Sequence, residues 1–310
     1  MSVHHSHSHQ HGAHEHGAPP DSRSAFAMGI VLNIGFVIIE AVYGLYAHSL
    51  ALLADAGHNF GDALGLIFAW GAATLATRQP SAQYTYGLRG STILAALTNA
   101  MLLLVATGGI AWEAIRRLQT PVPVEGWTVI WVAFAGVVIN TISALLFIGG
   151  RKHDLNVRSA LLHMAADALV SIGVIVGGVI MLYTGWVKLD PIISLMVGTV
   201  IVIGTWGVLR ESVRLALHAV PVHVDASAVR KYLAEQKGVR EVHDLHIWGM
   251  STTETAMTAH LVMPGGHPGD EFLHTLAHDI EHQFNITHAT FQVETAEDTT
   301  ACKLAPDSVV

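Results

Sequence analysis

A membrane-embedded, all-α bundle of six helices followed by a small α+β domain is the fold this sequence predicts, on three observations. Of 310 residues, 51% are hydrophobic and only 13% charged, roughly half the charge of an ordinary soluble chain. Six apolar segments, at about 24–46, 51–77, 90–115, 126–149, 158–184 and 191–213, are each long enough to cross about 30 Å of hydrocarbon. The charge is also placed unevenly. From Ala219 onward, 13 Asp and Glu face 5 Lys and Arg, a difference of −8 that is the whole formal net charge of the chain.

The elements follow in order. Residues 1–23 form a tail with seven histidines in its first 16 positions: His4, His5, His7, His9, His11, His14 and His16. Such a composition reads as a disordered, weakly metal-binding tract. No basic n-region or cleavage site marks a signal peptide. The membrane region covers 24–217, and its spans are separated by Arg78-Gln-Pro80, Pro121-Val-Pro123, Gly149-Gly-Arg151-Lys152 and Asp190-Pro191, the usual chain punctuation. With both termini inside, the inner flanks carry Arg23, Arg78, Arg89, Arg151, Lys152, Arg158, Arg210 and Arg214, against Arg116, Arg117 and Lys188 outside. The excess of positive charge favours cytoplasmic termini. Residues 218–298 then read as helix (Asp225 to about Lys237), strand (Val239–Trp248), strand (Thr253–Met263), helix (Pro268–Phe284) and strand (Ala289–Thr295). That order is ferredoxin-like. Residues 299–310 read as a disordered end. The single cysteine, Cys302, excludes an internal disulfide and, on this reading, a Cys-based zinc site.

The costliest residues sit inside spans. His58-Asn-Phe-Gly-Asp62-Ala-Leu lies in the second span and His163-Met-Ala-Ala-Asp167-Ala-Leu in the fifth. His and Asp four apart share one helix face. A carboxylate in the hydrocarbon core costs about 2.5–3.5 kcal/mol even on the insertion scale, and ionisable groups there are a functional hypothesis by default. Two identical pairs brought together offer two imidazoles and two carboxylates, a tetrahedral shell suited to zinc. Asn33 and Asn140, in the first and fourth spans, precede the two motif histidines by similar distances, as in an inverted repeat of three spans. Asp55 shares a face with His58 and either gates the site or caps the helix. Glu40 and Asn33 share a face of the first span, and either lines a water path to the site or, the preferred reading, Glu40 hydrogen-bonds a neighbouring helix. Asp190-Pro191 reads as a helix start.

These residues, taken jointly, resemble the cation diffusion facilitators, proton-coupled zinc exporters. The resemblance covers roughly 24–295 and rests on Ser49-Leu-Ala-Leu-Leu-Ala-Asp55-Ala-Gly-His58…Asp62, Tyr84-Thr-Tyr-Gly87, Asn99, His163…Asp167, Asp190-Pro191 and Val242-His243-Asp244-Leu245-His246-Ile-Trp248. It implies a transport site at His58, Asp62, His163 and Asp167. It implies Zn2+ as cargo, since imidazole suits zinc better than manganese. It also implies a cytoplasmic ferredoxin-like domain that pairs two chains and senses metal, with His243, His260, His274 and Glu294 on its ligand positions, Gln292 standing where a His would be. His274, His278 and His282 run down one face of the second helix of that domain. The loop 78–89 carries no His, Asp or Glu, so a further zinc site known there in some members is not expected.

The resulting expectation is a non-enzymatic cation/proton antiporter exporting divalent metals, chiefly Zn2+, from the bacterial cytoplasm. It is a homodimer in the lipid of the inner membrane, with Zn2+ also as a regulatory ion and no organic cofactor. The acidic balance argues against nucleic acid as partner. The alternatives are an exporter preferring Cd2+, Co2+ or Ni2+, and a membrane-anchored metal sensor. An intramembrane metalloprotease is disfavoured because the chain has no His-Glu-x-x-His.

Overall fold

The computed structural model describes residues 34–147 and 155–295 together with Cys302 and Leu304. The histidine tract of the first 16 residues and Asn33 lie outside the described residues. The helices are α1 (Ile34–Tyr46 in its described part), α2 (Leu50–Ala76), α3 (Ser91–Gln119), α4 (Gly126–Phe147), α5 (Leu155–Thr184) and α6 (Leu189–Ala216). Helices occupy the described part of each predicted span, but α3 and α6 run past the apolar segments. The extra turns carry Arg116 and Arg117 on α3, paired to Glu113, and Arg214 on α6. Basic side chains in a last turn complement the helix dipole, which lets the helix continue beyond its apolar stretch. Among the described residues, α3, α4, α5 and α6 are long and apolar enough to cross a membrane. In α2 the polar run Asp55, His58, Asn59 and Asp62 lowers its hydropathy.

The chain divides into two compact units. The first comprises residues 1–56 and 122–193. Its core joins Phe36 of α1, Ala51 and Leu52 of α2, Val129, Val132 and Ala133 of α4, and Val174 of α5. α4 and α5 approach closely where Gly126 and Gly178 meet: a Cβ on Gly178 would lie 3.6 Å from the Gly126 carbonyl oxygen and 2.8 Å from Ile130. Small residues permit such backbone contact between membrane helices. Trp127 at the start of α4 and Tyr183 and Trp186 at the end of α5 are exposed, the placement of an interfacial aromatic belt.

One polar device ties this unit together. The carboxylate of Asp190, in the first turn of α6, accepts from the Ser49 hydroxyl, from Leu50 N at 2.8 Å and from Ala51 N at 3.3 Å. All four residues are buried. Asp190 thus does more than start its own helix. It also caps α2, satisfying donors that the first turn leaves without intrahelical partners and placing negative charge at a helix N-terminus.

The second unit comprises residues 57–121 and 194–310. The buried residues of α3 are Ile93, Ala100, Leu103, Thr107 and Ala114, spaced as one stripe of a 3.6-residue helix. Leu103 lies over Gly61 of α2 and Thr107 over Gly198 of α6. The loop before α3 reaches the C-terminal domain. Arg89 pairs with Glu254, Thr252 N donates to Thr92 Oγ1 at 3.1 Å, and the Tyr86 ring meets the His288 ring edge-on at 5.6 Å. Gly87 makes that loop possible. Its φ is +70°, and a Cβ there would stand 2.9 Å from the Arg78 carbonyl oxygen, so only glycine fits without strain.

The C-terminal domain has the predicted order: α7 (Ala226–Ala234), β1 (Glu241–Gly249), β2 (Thr255–Val262), α8 (Asp270–Phe284) and β3 (His288–Glu294). α7 ends three residues earlier than expected. Its start is capped by Asp225, which accepts from Ser227 N and Ala228 N. The sheet order is β1-β2-β3, with β1 antiparallel and β3 parallel to β2. Val229 and Leu233 of α7 and Leu276 and Ile280 of α8 pack with Val242, Ile247, Met257, Ala259 and Leu261 of the strands. Both helices thus cover one face of the sheet. The other face carries the alternate residues.

Candidate functional site

Within the apolar helices, each His-x-x-x-Asp pair forms as the helical period requires. On α2, His58 Nε2 lies 3.6 Å from Asp62 Oδ2. On α5, His163 Nε2 lies 3.5 Å from Asp167 Oδ2. Both separations are too long for a good hydrogen bond. They match the edge of a zinc tetrahedron: with metal–ligand distances of about 2.0–2.1 Å, two N/O ligands stand about 3.4 Å apart. Asp167 is buried and His163 is half-exposed. Around them, Asp55 is buried and accepts from the Ser171 hydroxyl at 3.3 Å. Asp55 is thus held by a partner on α5. Glu40 and Asn140 are fully buried.

On the C-terminal domain the structure brings together His243, His260 and Glu294, all expected, and Cys302, which was not. Each offers one ligand atom, and these atoms lie within 4.8 Å of one another. The sheet explains the first three. His243 of β1 and His260 of β2 are directly paired across the antiparallel ladder, and His260 pairs with Gln292 of β3. Glu294 follows Gln292 by two residues, hence on the same face. A β-bulge between His243 and His246 puts an additional residue on β1, and Asp244 adopts φ +48°. Without the bulge, Asp244 would alternate to the helix-covered face. With it, Asp244 joins His243 and His246 on the open face.

Outer hydrogen bonding is therefore built in. Asp244 Oδ2 stands 3.3 Å from His260 Nε2, and Asp244 Oδ1 2.8 Å from His246 Nε2. A carboxylate on one imidazole nitrogen orients the other toward a metal. The other nitrogen, His260 Nδ1, faces Glu294 Oε1 at 3.0 Å and Cys302 Sγ at 3.6 Å. His243 is buried, and neither ring nitrogen makes a hydrogen bond. The carboxylates of Glu294 and Glu241 stand off at 3.4 and 3.8 Å. Leaving a buried polar group unsatisfied costs about 1–3 kcal/mol; a divalent ion bound between His243 and Glu294 would satisfy it. Burial pushes the Glu294 carboxyl up, but the Cys302 thiol bonded to it and the His243 and His260 rings outweigh that and hold it below its ordinary value. The Cys302 thiol receives a lowering contribution from the Leu304 backbone; burial and the carboxylates of Glu294 and Asp244 overcome it and push the thiol up.

His274 is not in this cluster. It lies exposed on α8, and α8 packs on the opposite sheet face through Leu276 and Ile280, so the sheet separates His274 from the site. His278 and His282 lie on the exposed side of the same helix with ring centroids 4.2 Å apart. Cys302 lies beside His260, with Sγ 3.6 Å from Nδ1, in the group of His243, His260 and Glu294.

Residues 27–215 match the family model described as the cation efflux transmembrane domain. Residues 221–296 match the model of the cation efflux protein cytoplasmic domain. The chain belongs to the cation efflux family. It is 38% identical over 296 residues to the zinc transporter ZitB of Escherichia coli (strain K12), covering 95% of this chain and 93% of that protein. It is 35% identical over 284 residues to the cation efflux system protein CzcD of Alcaligenes sp. (strain CT14), covering 91% and 90%. It is 31% identical over 287 residues to the cadmium, cobalt and zinc/H(+)-K(+) antiporter of Bacillus subtilis (strain 168), covering 91% of each. This member of the family is an integral membrane transporter, and its helices expose large apolar side chains at Trp70, Val105, Trp112, Trp131 and Ile203.

Proposed function

We propose that the chain exports Zn2+ from the cytoplasm in exchange for protons, with His58, Asp62, His163 and Asp167 together holding the ion. The observation that carries this reading is the His–Asp separation of 3.6 and 3.5 Å within the two pairs, close to the edge of about 3.4 Å of a zinc tetrahedron. The name of the ZitB relative supports zinc, and that of the Bacillus subtilis antiporter supports proton exchange and a wider range including cadmium and cobalt. Two imidazoles and two carboxylates hold a dication only when deprotonated. Histidine, with an ordinary pKa of about 6.5, is protonated by modest acidity outside. Protons arriving from outside displace the metal, and reloading in the less acidic cytoplasm releases them inward. The distribution of Arg and Lys along the flanks supports cytoplasmic termini in a bacterial inner membrane, and the cytoplasmic-domain match supports a homodimer.

Everted vesicles from cells expressing the chain, acidified inside, are expected to accumulate Zn2+ and to lose it when a protonophore collapses the gradient. Uptake that ignores the gradient rejects the coupling. Vesicles that take up none of Zn2+, Cd2+, Co2+ or Ni2+ reject transport altogether and favour a sensor.

The second part of the reading is regulation: His243, His260 and Glu294 bind a divalent cation on the C-terminal domain, which favours the transport-competent dimer. Its support is the buried, hydrogen-bond-free His243 facing Glu294 and the Arg89–Glu254 link from that domain to the loop before α3. Replacing both His243 and His260 by alanine is expected to raise the Zn2+ concentration needed for half-maximal uptake several-fold. An unchanged concentration dependence would reject regulation from this site.

A further inference from the structure

We propose that Cys302 is the fourth ligand of the C-terminal-domain metal site, so that residues beyond β3 close a shell of two imidazoles, one carboxylate and one thiolate around a zinc-like cation. The proposal rests on the reading that His243, His260 and Glu294 bind metal, and adds a residue that the sheet alone does not supply. Three strand residues leave a tetrahedral ion one position short. Gln292 occupies the neighbouring sheet position, and its amide instead donates to Glu294 Oε1 at 3.3 Å.

Geometry selects the sulfur. With Zn–S about 2.3 Å and Zn–N about 2.0–2.1 Å, the S–N edge of a tetrahedron is about 3.6 Å. Cys302 Sγ lies 3.6 Å from His260 Nδ1, the nitrogen that Asp244 leaves facing inward by engaging Nε2. His243, 4% exposed and without a hydrogen bond on either ring nitrogen, is the independent sign that this cavity is shaped for an ion. A thiol bonded to Glu294 does nothing for His243, because it is a weak donor and acceptor; an ion shared by all four residues does. The charges also balance. Two neutral imidazoles, one carboxylate and one thiolate make a neutral shell with a dication. A thiolate also shifts preference toward Zn2+, Cd2+ and Co2+ over Mn2+ or Mg2+.

The test uses Co2+ on the full-length chain, purified in detergent, stripped of metal and kept reduced. Cys302 is the only cysteine, so a sulfur-to-cobalt charge-transfer band in the near ultraviolet has a single possible source. The band is expected to grow with Co2+ and saturate at one ion per chain. It is expected to vanish in Cys302→Ser and in the His243→Ala/His260→Ala double variant. Half-saturation of the band should require about 100-fold more Co2+ in Glu294→Gln, as loss of a direct ligand matches or exceeds the 10–100-fold typical of an outer partner. Total bound metal, measured by equilibrium dialysis, separates the two levels of the argument. No band, with one fewer ion bound by the double variant than by the wild type, overturns the role of Cys302 and leaves the three-residue site intact. No band, with equal ion counts in both, overturns the site itself. A band that persists in the double variant places the thiolate elsewhere and also overturns the proposal.

Discussion

Asp167→Ala is expected to reduce gradient-driven Zn2+ uptake to the level of empty vesicles, a fall of about 100-fold or more, since even an outer partner of a metal ligand is typically worth 10–100-fold. The substitution removes one of four proposed ligands and half of the negative charge that offsets the dication. Asp167 is buried on α5 with His163 Nε2 at 3.5 Å. Asp167→Glu keeps the charge but moves the oxygens by one methylene, and a residual, slower uptake is expected. The measurement is initial uptake rate in proteoliposomes at matched protein content. Uptake by Asp167→Ala at the wild-type rate would end the assignment of this residue to the ion.

The largest effect on stability is expected at another carboxylate. Asp190→Ala strands the Ser49 hydroxyl and the Leu50 and Ala51 amides, all buried. At about 1–3 kcal/mol for each unsatisfied buried group, the loss is several kcal/mol, a large fraction of the roughly 5–15 kcal/mol of a typical folded domain. The variant should yield little monodisperse protein in detergent, and its melting temperature should fall well below that of wild type. Asp190→Asn retains a carbonyl acceptor and should fall between the two. An Asp190→Ala protein that melts with the wild type would show that the cap contributes nothing. The contrast with Asp167 is useful: both are buried acids at helical positions, yet one is expected to lose transport and the other the fold.

Most of the architecture was legible because it follows from composition and period. Apolar length marked the spans, and alternation marked the three strands of the C-terminal domain to within two residues. The His-x-x-x-Asp pairs were legible because the helix repeat alone places them on one face. What was not legible depends on long-range return of the chain. Nothing near Asp190 announces that it caps a helix 140 positions earlier, although Ser49 before the apolar run of α2 was an available capping signal. Counting cysteines tests only for sites made of cysteine and does not show that Cys302 stands beside His260. The motif match, and not the helical period, gives His274 to the ligand set. This residue stands two residues before Leu276, nearly half a turn around α8 from a core residue, and the period alone assigns it to the exposed side.

The bulge at Asp244 has a consequence for anyone moving this site into another protein. The ligands on β1 and β2 can be copied as letters, but the support for His260 is encoded as an additional backbone position. A recipient sheet with regular pairing would display His243 and His260 side by side and turn Asp244 under the helices. The graft would then hold metal loosely, with His260 free to rotate. Portability of the site therefore requires transferring the segment His243 to His246 whole, with its left-handed residue, and deletion of either Asp244 or Leu245 should uncouple the imidazoles from their acid while leaving every ligand in the sequence.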